Sequence, residues 1–236
     1  INYDGNNASS TKGTGMSSGT TIISGTAADT NFPGVRLFKT VPVFEKDNVP
    51  TNTLANGERT LMRFKVSVNS AGDAGIYKFT LRLATSSVSV SNINIFAFTD
   101  SGYSSSVSGL SSGGQMDNSN KTPNANNEAE IFSEDSSGTA NPLQVPGGET
   151  RHFEVRGTVG GSNSGSSITS TLLGDLAYPS ASGLMGTASE INSAAENNFI
   201  WSPNFSGESD VTDSDWTNSF GIQGLPSSGI SETLSR

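Results

Sequence analysis

Along LMRFKVSVNS, apolar and polar side chains alternate, so that Met62, Phe64, Val66 and Val68 fall on one face and Arg63, Lys65 and Ser67 on the other. A period of two marks a half-buried strand, because successive side chains on an extended backbone point to opposite sides. After the turn AGDAG the pattern resumes in IYKFTLRL, with Tyr77, Phe79, Leu81 and Leu83 inward and Lys78, Thr80 and Arg82 outward. Two such runs around a glycine-containing turn predict an antiparallel hairpin. In SSVSVSNINIFAFTD the apolar phase slips from Val88 and Val90 to Ile93, Ile95 and Ala97. A bulge or bend at Ser91–Asn92 restores the register, since a one-residue slip turns the whole apolar set outward.

Upstream, VRLFKTVPVFEK reads as a strand broken by Pro42, which confines it to a sheet edge or a bulge. Downstream, EAEIFS, GGETRHFEVRGTV and SSITSTLLGDLA read as strands, SEINSAAENN gives the only helical hint, and residues 101–126 form a long Ser/Gly/Asn loop. NGERTLMRFKVSV and GGETRHFEVRGTV echo each other, each running from Gly-Glu to Phe-x-Val, which fits two related sheets facing one another. Together the pattern predicts an all-β fold, an antiparallel β-sandwich of about eight to ten strands. It is expected to occupy residues 29–236 as a single domain. Residues 1–28 form an N-terminal extension with little to bury, in which residues 20–27 (TTIISGTA) are the first run of strand propensity.

Composition agrees with strands and loops. Of 236 residues, 32% are hydrophobic and 15% charged, and Ser, Thr, Asn and Gly make up nearly half the chain. The net charge of −9 is uneven: residues 1–110 carry +2 and residues 111–236 carry −11. An acidic surface repels nucleic acid and anionic lipid, so neither is an expected partner, whereas halves of opposite sign could attract one another between copies. No apolar run is long enough to span a membrane. A first residue of Ile is expected to follow either loss of a signal segment or cutting from a longer precursor, which with the absence of cysteine suggests a secreted, cell-surface protein without disulfides.

Little in the sequence points to catalysis. GLSSG (109–113) matches the nucleophile-elbow spacing, but it lies in a Ser/Gly loop with no helix after it, among 40 serines and 27 glycines. His152, the sole histidine, sits at an outward position of its strand. A sandwich hydrolase would need two carboxylates facing a cleft, and no such pair stands out. No cofactor is required by any motif. Without cysteine or clustered histidine, oxygen ligands for calcium are the remaining metal chemistry. The acidic loop SGESDVTDSDW holds Glu208, Asp210, Asp213 and Asp215, without the spacing or glycine of an EF-hand. Trp201 and Trp216 are candidates for stacking on sugar rings, or for closing the end of the sandwich.

The segments VRLFKTVPVF, GERTLMRFKVSVNSAGDAGIYKFTLRL, VPGGETRHFEVRGTV and FIWSPNFSGESDVTDSDWTNSFGIQGLPSSG together resemble a β-sandwich domain of large secreted cell-surface proteins of ultra-small, candidate-phyla bacteria. That resemblance implies a β fold and an extracellular location, and it supplies no catalytic residues. The leading functional expectation is a non-enzymatic structural protein, copies of which assemble into a filament or surface layer. In that assembly Thr21, Ile22, Ile23 and Ser24 would join a neighbour's open sheet edge by strand addition. The alternative is a cell-surface adhesin or carbohydrate-binding module that meets surface glycans through Trp201, Trp216 or the 101–126 loop.

Overall fold

A computed structural model describes residues 2–3, 12–14, 17–18, 21–23, 30–31, 37–179, 185–193, 197–205 and 207–236. The chain divides into two units, Ile1–Phe38 and Lys39–Arg236. In the first, β1 (Asn2–Tyr3) pairs antiparallel with β4 (Thr30–Asn31), and β2 (Lys12–Thr14) with β3 (Thr21–Ile23). The strand expected in TTIISGTA therefore exists at Thr21–Ile23, and it has a partner in its own chain. Ser24 lies outside the described residues.

The second unit is an antiparallel β-sandwich. Its four-stranded sheet has the order β5 (Val43–Asp47), β6 (Gly57–Ser67), β11 (Thr150–Gly160), β8 (Ser89–Phe98). The seven-stranded sheet is built around β7 (Ala74–Ser86). On one side of β7 lie β9 (Glu128–Phe132) and β10 (Leu143–Val145); on the other lie β12 (Ser167–Leu172) and β13 (Phe199–Ser202), followed by β15 (Ile230–Ser235) and β14 (Thr217–Asn218). Between the sheets Phe44, Phe64, Phe79, Phe153 and Phe199 are fully or almost fully buried, with Phe64 stacked on Phe153 at 4.9 Å and Phe79 on Phe199 at 5.1 Å.

Two expectations about pairing are corrected here. β6 and β7 alternate as predicted, yet they belong to different sheets and face each other across the core, with the Phe64 and Phe79 rings 5.4 Å apart. A period of two shows that a strand has one buried face and cannot show whether its successor pairs beside it or packs opposite it. Conversely, the echoing segments in β6 and β11 are not on facing sheets but hydrogen-bonded neighbours, from Thr150↔Ser67 to Val159↔Gly57.

Bulges adjust the faces. The slip expected near Ser91–Asn92 is present, because the β11–β8 register shifts between Arg156 and Thr158 and Asn92 has φ of 51°. A second shift, between Val155 and Arg156 opposite Met62 and Thr60, buries Leu61 and Met62 together. A third, opposite Tyr77, turns Tyr77 to the outer face, where it meets Phe132 and Trp216 instead of entering the core as expected. Pro42 immediately precedes the edge strand β5, where its missing N–H costs no ladder bond.

The 101–126 loop runs back along the free edge of β8. Val107 N–H donates to Ala97 O (2.9 Å), Met116 N–H to Ile95 O (2.8 Å), and Ile93 and Lys121 exchange two bonds of 2.8 Å. Asn94, buried on β8, donates through Nδ2 to Asp117 O and accepts the Ile95 and Asp117 N–H groups at Oδ1. Other edges are met too: Phe44 N–H on β5 donates to Gln223 O, and β15 exchanges bonds with Asn52 and Leu54 through Ser235. Covered edges suppress unintended strand addition.

Candidate functional site

The outer face of the seven-stranded sheet holds a cleft of about 960 Å³. Its floor follows from strand alternation. Lys78, Thr80 and Arg82 project outward from β7, and Glu128 and Glu130 project from the adjacent β9, with Arg82 directly opposite Glu128 and Thr80 opposite Glu130. Opposite charges on neighbouring strands lie within reach of one another. Arg82 donates from Nη2 and Nε to Glu128 Oε1 at 2.7 and 3.2 Å, and Lys78 Nζ pairs with Glu130. The Lys78 side chain is only 4% exposed, so its ammonium depends on this carboxylate and on Asn192 Oδ1 at 2.7 Å for the solvation it has lost.

Asn192 comes from the helix that SEINSAAENN foreshadowed, α1 (Ala188–Ser193). Thr187 and Glu190 form a capping box at its start: Glu190 Oε2 accepts the Thr187 N–H at 2.8 Å, and Thr187 Oγ1 accepts the Glu190 N–H at 3.2 Å. Ala188 and Ile191 bury the inner side of α1 against Ile200 and Trp216. Asn192 and Ser193, in the last turn of Ala188–Ser193, stand at the cleft wall.

Opposite walls come from Leu173–Leu176 and Ser227–Ser228. Gly174 lets these segments approach, since a Cβ there would lie 2.3 Å from Pro226 O. Asp175 fixes the first wall by accepting the N–H groups of Asn198 (2.6 Å) and Ser219 (2.8 Å) and the Ser219 hydroxyl (2.7 Å). Burial raises the Asp175 carboxyl above its ordinary value, and these donors oppose the rise. The two cations of the cleft are matched by two carboxylates, and the remaining polar lining is amide and hydroxyl. Such a surface offers donors and acceptors with little net charge, beside an apolar stretch contributed by Leu173 and Leu176.

A second polar cluster covers the outer face of the four-stranded sheet. Glu154, buried, accepts from Arg63 Nε at 2.6 Å and Arg156 Nε at 2.5 Å. Arg63 lies over the Tyr103 ring at 3.8 Å, and the Tyr103 hydroxyl donates to Asp47 at 3.0 Å. Burial, with the Asp47 carboxylate beside it, holds the Tyr103 phenol above its usual range. His152 is not solvated as expected: Tyr103 from the 101–126 loop covers it at 5.8 Å, and 12% of its side chain is exposed.

The residues singled out from sequence do not assemble into one site. Trp201 and Trp216 are 2% and 0% exposed, and their indole N–H groups donate to Asn218 O (2.9 Å) and Asp210 O (2.8 Å). Trp216 packs with Ile200 beneath α1 and Trp201 is buried on β13, so neither presents a face to a sugar. In the acidic loop, Asp210 accepts from Thr212, Asp213 accepts the Asp210 N–H at 2.8 Å, and Asp215 accepts the Ser209 hydroxyl at 2.5 Å. These bonds shape turns, and Glu208 is exposed. Among the described residues no three acidic or histidine side chains converge as a metal site. The Ser111 hydroxyl of GLSSG points to Asn118. Among the described residues no helix is long and apolar enough to cross a membrane.

Strand alternation alone puts Lys78, Thr80 and Arg82 on an outward face and makes EAEIFS a strand, and it does not join the two. The available signal was the matched spacing of opposite charge, Lys78 and Arg82 against Glu128 and Glu130, which becomes informative once β7 and β9 are known to pair.

No protein-family model matches the chain, and no curated protein sequence does. Among solved structures, the serine-rich repeat protein Srr2 of Streptococcus agalactiae matches 57% of this chain and 40% of its own, at 14% identity and a TM-score of 0.24. A TM-score that low does not establish a common fold. The chain spans well under half the length of that structure.

Proposed function

We propose that the chain is an extracellular, non-enzymatic β-sandwich module that binds a neutral, hydroxyl-rich ligand of the saccharide class in the cleft above β7 and β9. The observation that carries this reading is the balanced pair of ion pairs, Lys78–Glu130 and Arg82–Glu128, at the floor of a cleft walled by amides and hydroxyls. Balanced charge disfavours a strongly ionic ligand, and a mostly polar lining disfavours an apolar one. Hydrolysis is not part of the reading. A glycosidase uses a pair of carboxyl groups facing its cleft, and the two that line this one, Glu128 and Glu130, are each engaged by a cation.

The test is a neutral-glycan array followed by calorimetry on Arg82→Ala and Asn192→Ala. Each substitution removes one donor group from the cleft, so affinity should fall by about tenfold, the equivalent of one hydrogen bond to a charged or well-held polar group. An array without reproducible binding, or variants that bind as the parent does, would sink the reading. No calcium enters it. The unfolding midpoint is expected to be the same with and without chelator, and a lower midpoint in chelator would return Glu208, Asp210, Asp213 and Asp215 to consideration.

Self-assembly through Thr21–Ser24 is a second reading, favoured by the separation of Ile1–Phe38 as its own strand-bearing unit. Negative-stain images of the full chain and of the chain lacking residues 1–28 decide it. Polymers that survive the deletion would exclude the tail as the joint, and absence of polymers from the full chain would exclude assembly.

A further inference from the structure

Most large apolar side chains in the sandwich are buried, and the exposed ones are unevenly placed. Among the described residues Leu37, Leu176, Tyr178, Phe205 and Phe220 are the exposed large hydrophobics, and two of these five touch each other. Tyr178, 53% exposed, and Phe220, 39% exposed, form an edge-to-face pair with ring centroids 4.5 Å apart. Leu176, two residues before Tyr178, is 71% exposed and lines the cleft. Tyr178 and Phe220 are not among the lining residues, but two residues of chain span at most about 7 Å, so Tyr178 stands beside the wall residue Leu176, outside the lining proper.

Both loops that carry the pair are held in place. Asp175 accepts the N–H and hydroxyl of Ser219, and Asn218 Nδ2 donates to Ala177 O at 2.8 Å. The loops that carry the rings are therefore tied to one another, and among the described residues each ring keeps part of its surface exposed. The face of an aromatic ring is electron-rich and attracts the weakly positive C–H groups on one side of a sugar ring, while the rest of the sugar stays hydrated. Cleft floor and aromatic pair then differ in kind: hydrogen-bonding groups for a residue inside the cleft, an aromatic surface for the residue after it.

Resting on the saccharide reading above, we infer that Tyr178 and Phe220 form the stacking platform for the neighbouring residue of an oligosaccharide whose first residue occupies the cleft. The site is thereby selective for chain length. The stacking role once expected of Trp201 and Trp216 belongs instead to these two residues.

The experiment uses the full chain with cello-, xylo- and malto-oligosaccharides of two to six residues, measured by calorimetry on the parent and on Tyr178→Ala, Phe220→Ala and Asn192→Ala. The parent should bind the longer members of one series more tightly than its dimer. Tyr178→Ala and Phe220→Ala should each lose about tenfold in affinity for the long members, with the dimer changed less than about twofold. Asn192→Ala should weaken all lengths alike. Binding that depends on Asn192 but is indifferent to length and to both aromatic substitutions overturns the platform and leaves the cleft intact. No binding in any series counts against cleft and platform together. If the aromatic substitutions alter only self-association on size-exclusion chromatography, the patch is a protein contact and the inference fails.

Discussion

Gly157 stands where two bulges meet. The register of β11 shifts against β6 at Val155/Arg156 and against β8 between Arg156 and Thr158, which crowds Leu61, Val90 and Ile93 around one position. A Cβ on Gly157 would lie 2.9 Å from Leu61 and 3.1 Å from Val90. Gly157→Ala is therefore expected to cost about 1–3 kcal/mol through overpacking, measured by chemical denaturation; an unchanged midpoint would show that the core yields at no cost. At His152 the relevant cost is desolvation. Burial lowers its pKa below the usual 6.5, Asp47 opposes this and Lys65 adds to it. The folded state then binds fewer protons than the unfolded chain, so stability is complete above about pH 6.5 and declines as pH falls toward the lowered folded value. His152→Gln should flatten that decline between about pH 7 and pH 5 in denaturant titrations. A slope that persists in the variant would assign it to other groups.

At the scale of elements, the 101–126 segment acts as a cover for an edge strand despite its composition. Its backbone supplies the partners that β8 lacks, and Asn94 ties the middle of the segment down through the main chain of Asp117. Asn94→Ala removes that tie and takes the side-chain acceptor from the buried Ile95 and Asp117 N–H groups, a loss of about 1–3 kcal/mol. Hydrogen exchange should show it as faster exchange at the Val107, Met116 and Lys121 amides, with Phe153 in the middle of the sheet unaffected. Exposure of a strand edge also invites pairing between molecules, so concentration-dependent dimers are expected. Unchanged protection at those amides would mean the loop is held elsewhere. On the opposite sheet, a helix of six residues does comparable work: α1 is too short to persist alone, and its capping box and the burial of Ala188 and Ile191 are what hold it over β7.

For the whole molecule, the sandwich Lys39–Arg236 contains both sheets and the aromatic core, and the chain beginning at Lys39 is expected to unfold in one cooperative transition with the midpoint of the full chain. A lower midpoint would show that Ile1–Phe38 stabilises the sandwich. The alternation of Met62, Phe64 and Val66, the slip before Ile93, Pro42 at an edge and the short helix after Thr187 were legible in the sequence, because each follows from local backbone geometry and from which face must be dry. Tertiary structure alone decided that β6 faces β7 and neighbours β11, that Trp201 and Trp216 are core, and that Thr21–Ile23 pairs with Lys12–Thr14. It also brought Lys78 and Arg82 beside Glu128 and Glu130, about 50 residues on in the chain. Periodicity records one strand's two faces, whereas pairing, covering and clefts depend on which distant strand arrives beside it, and that choice is made by the packing of the whole core.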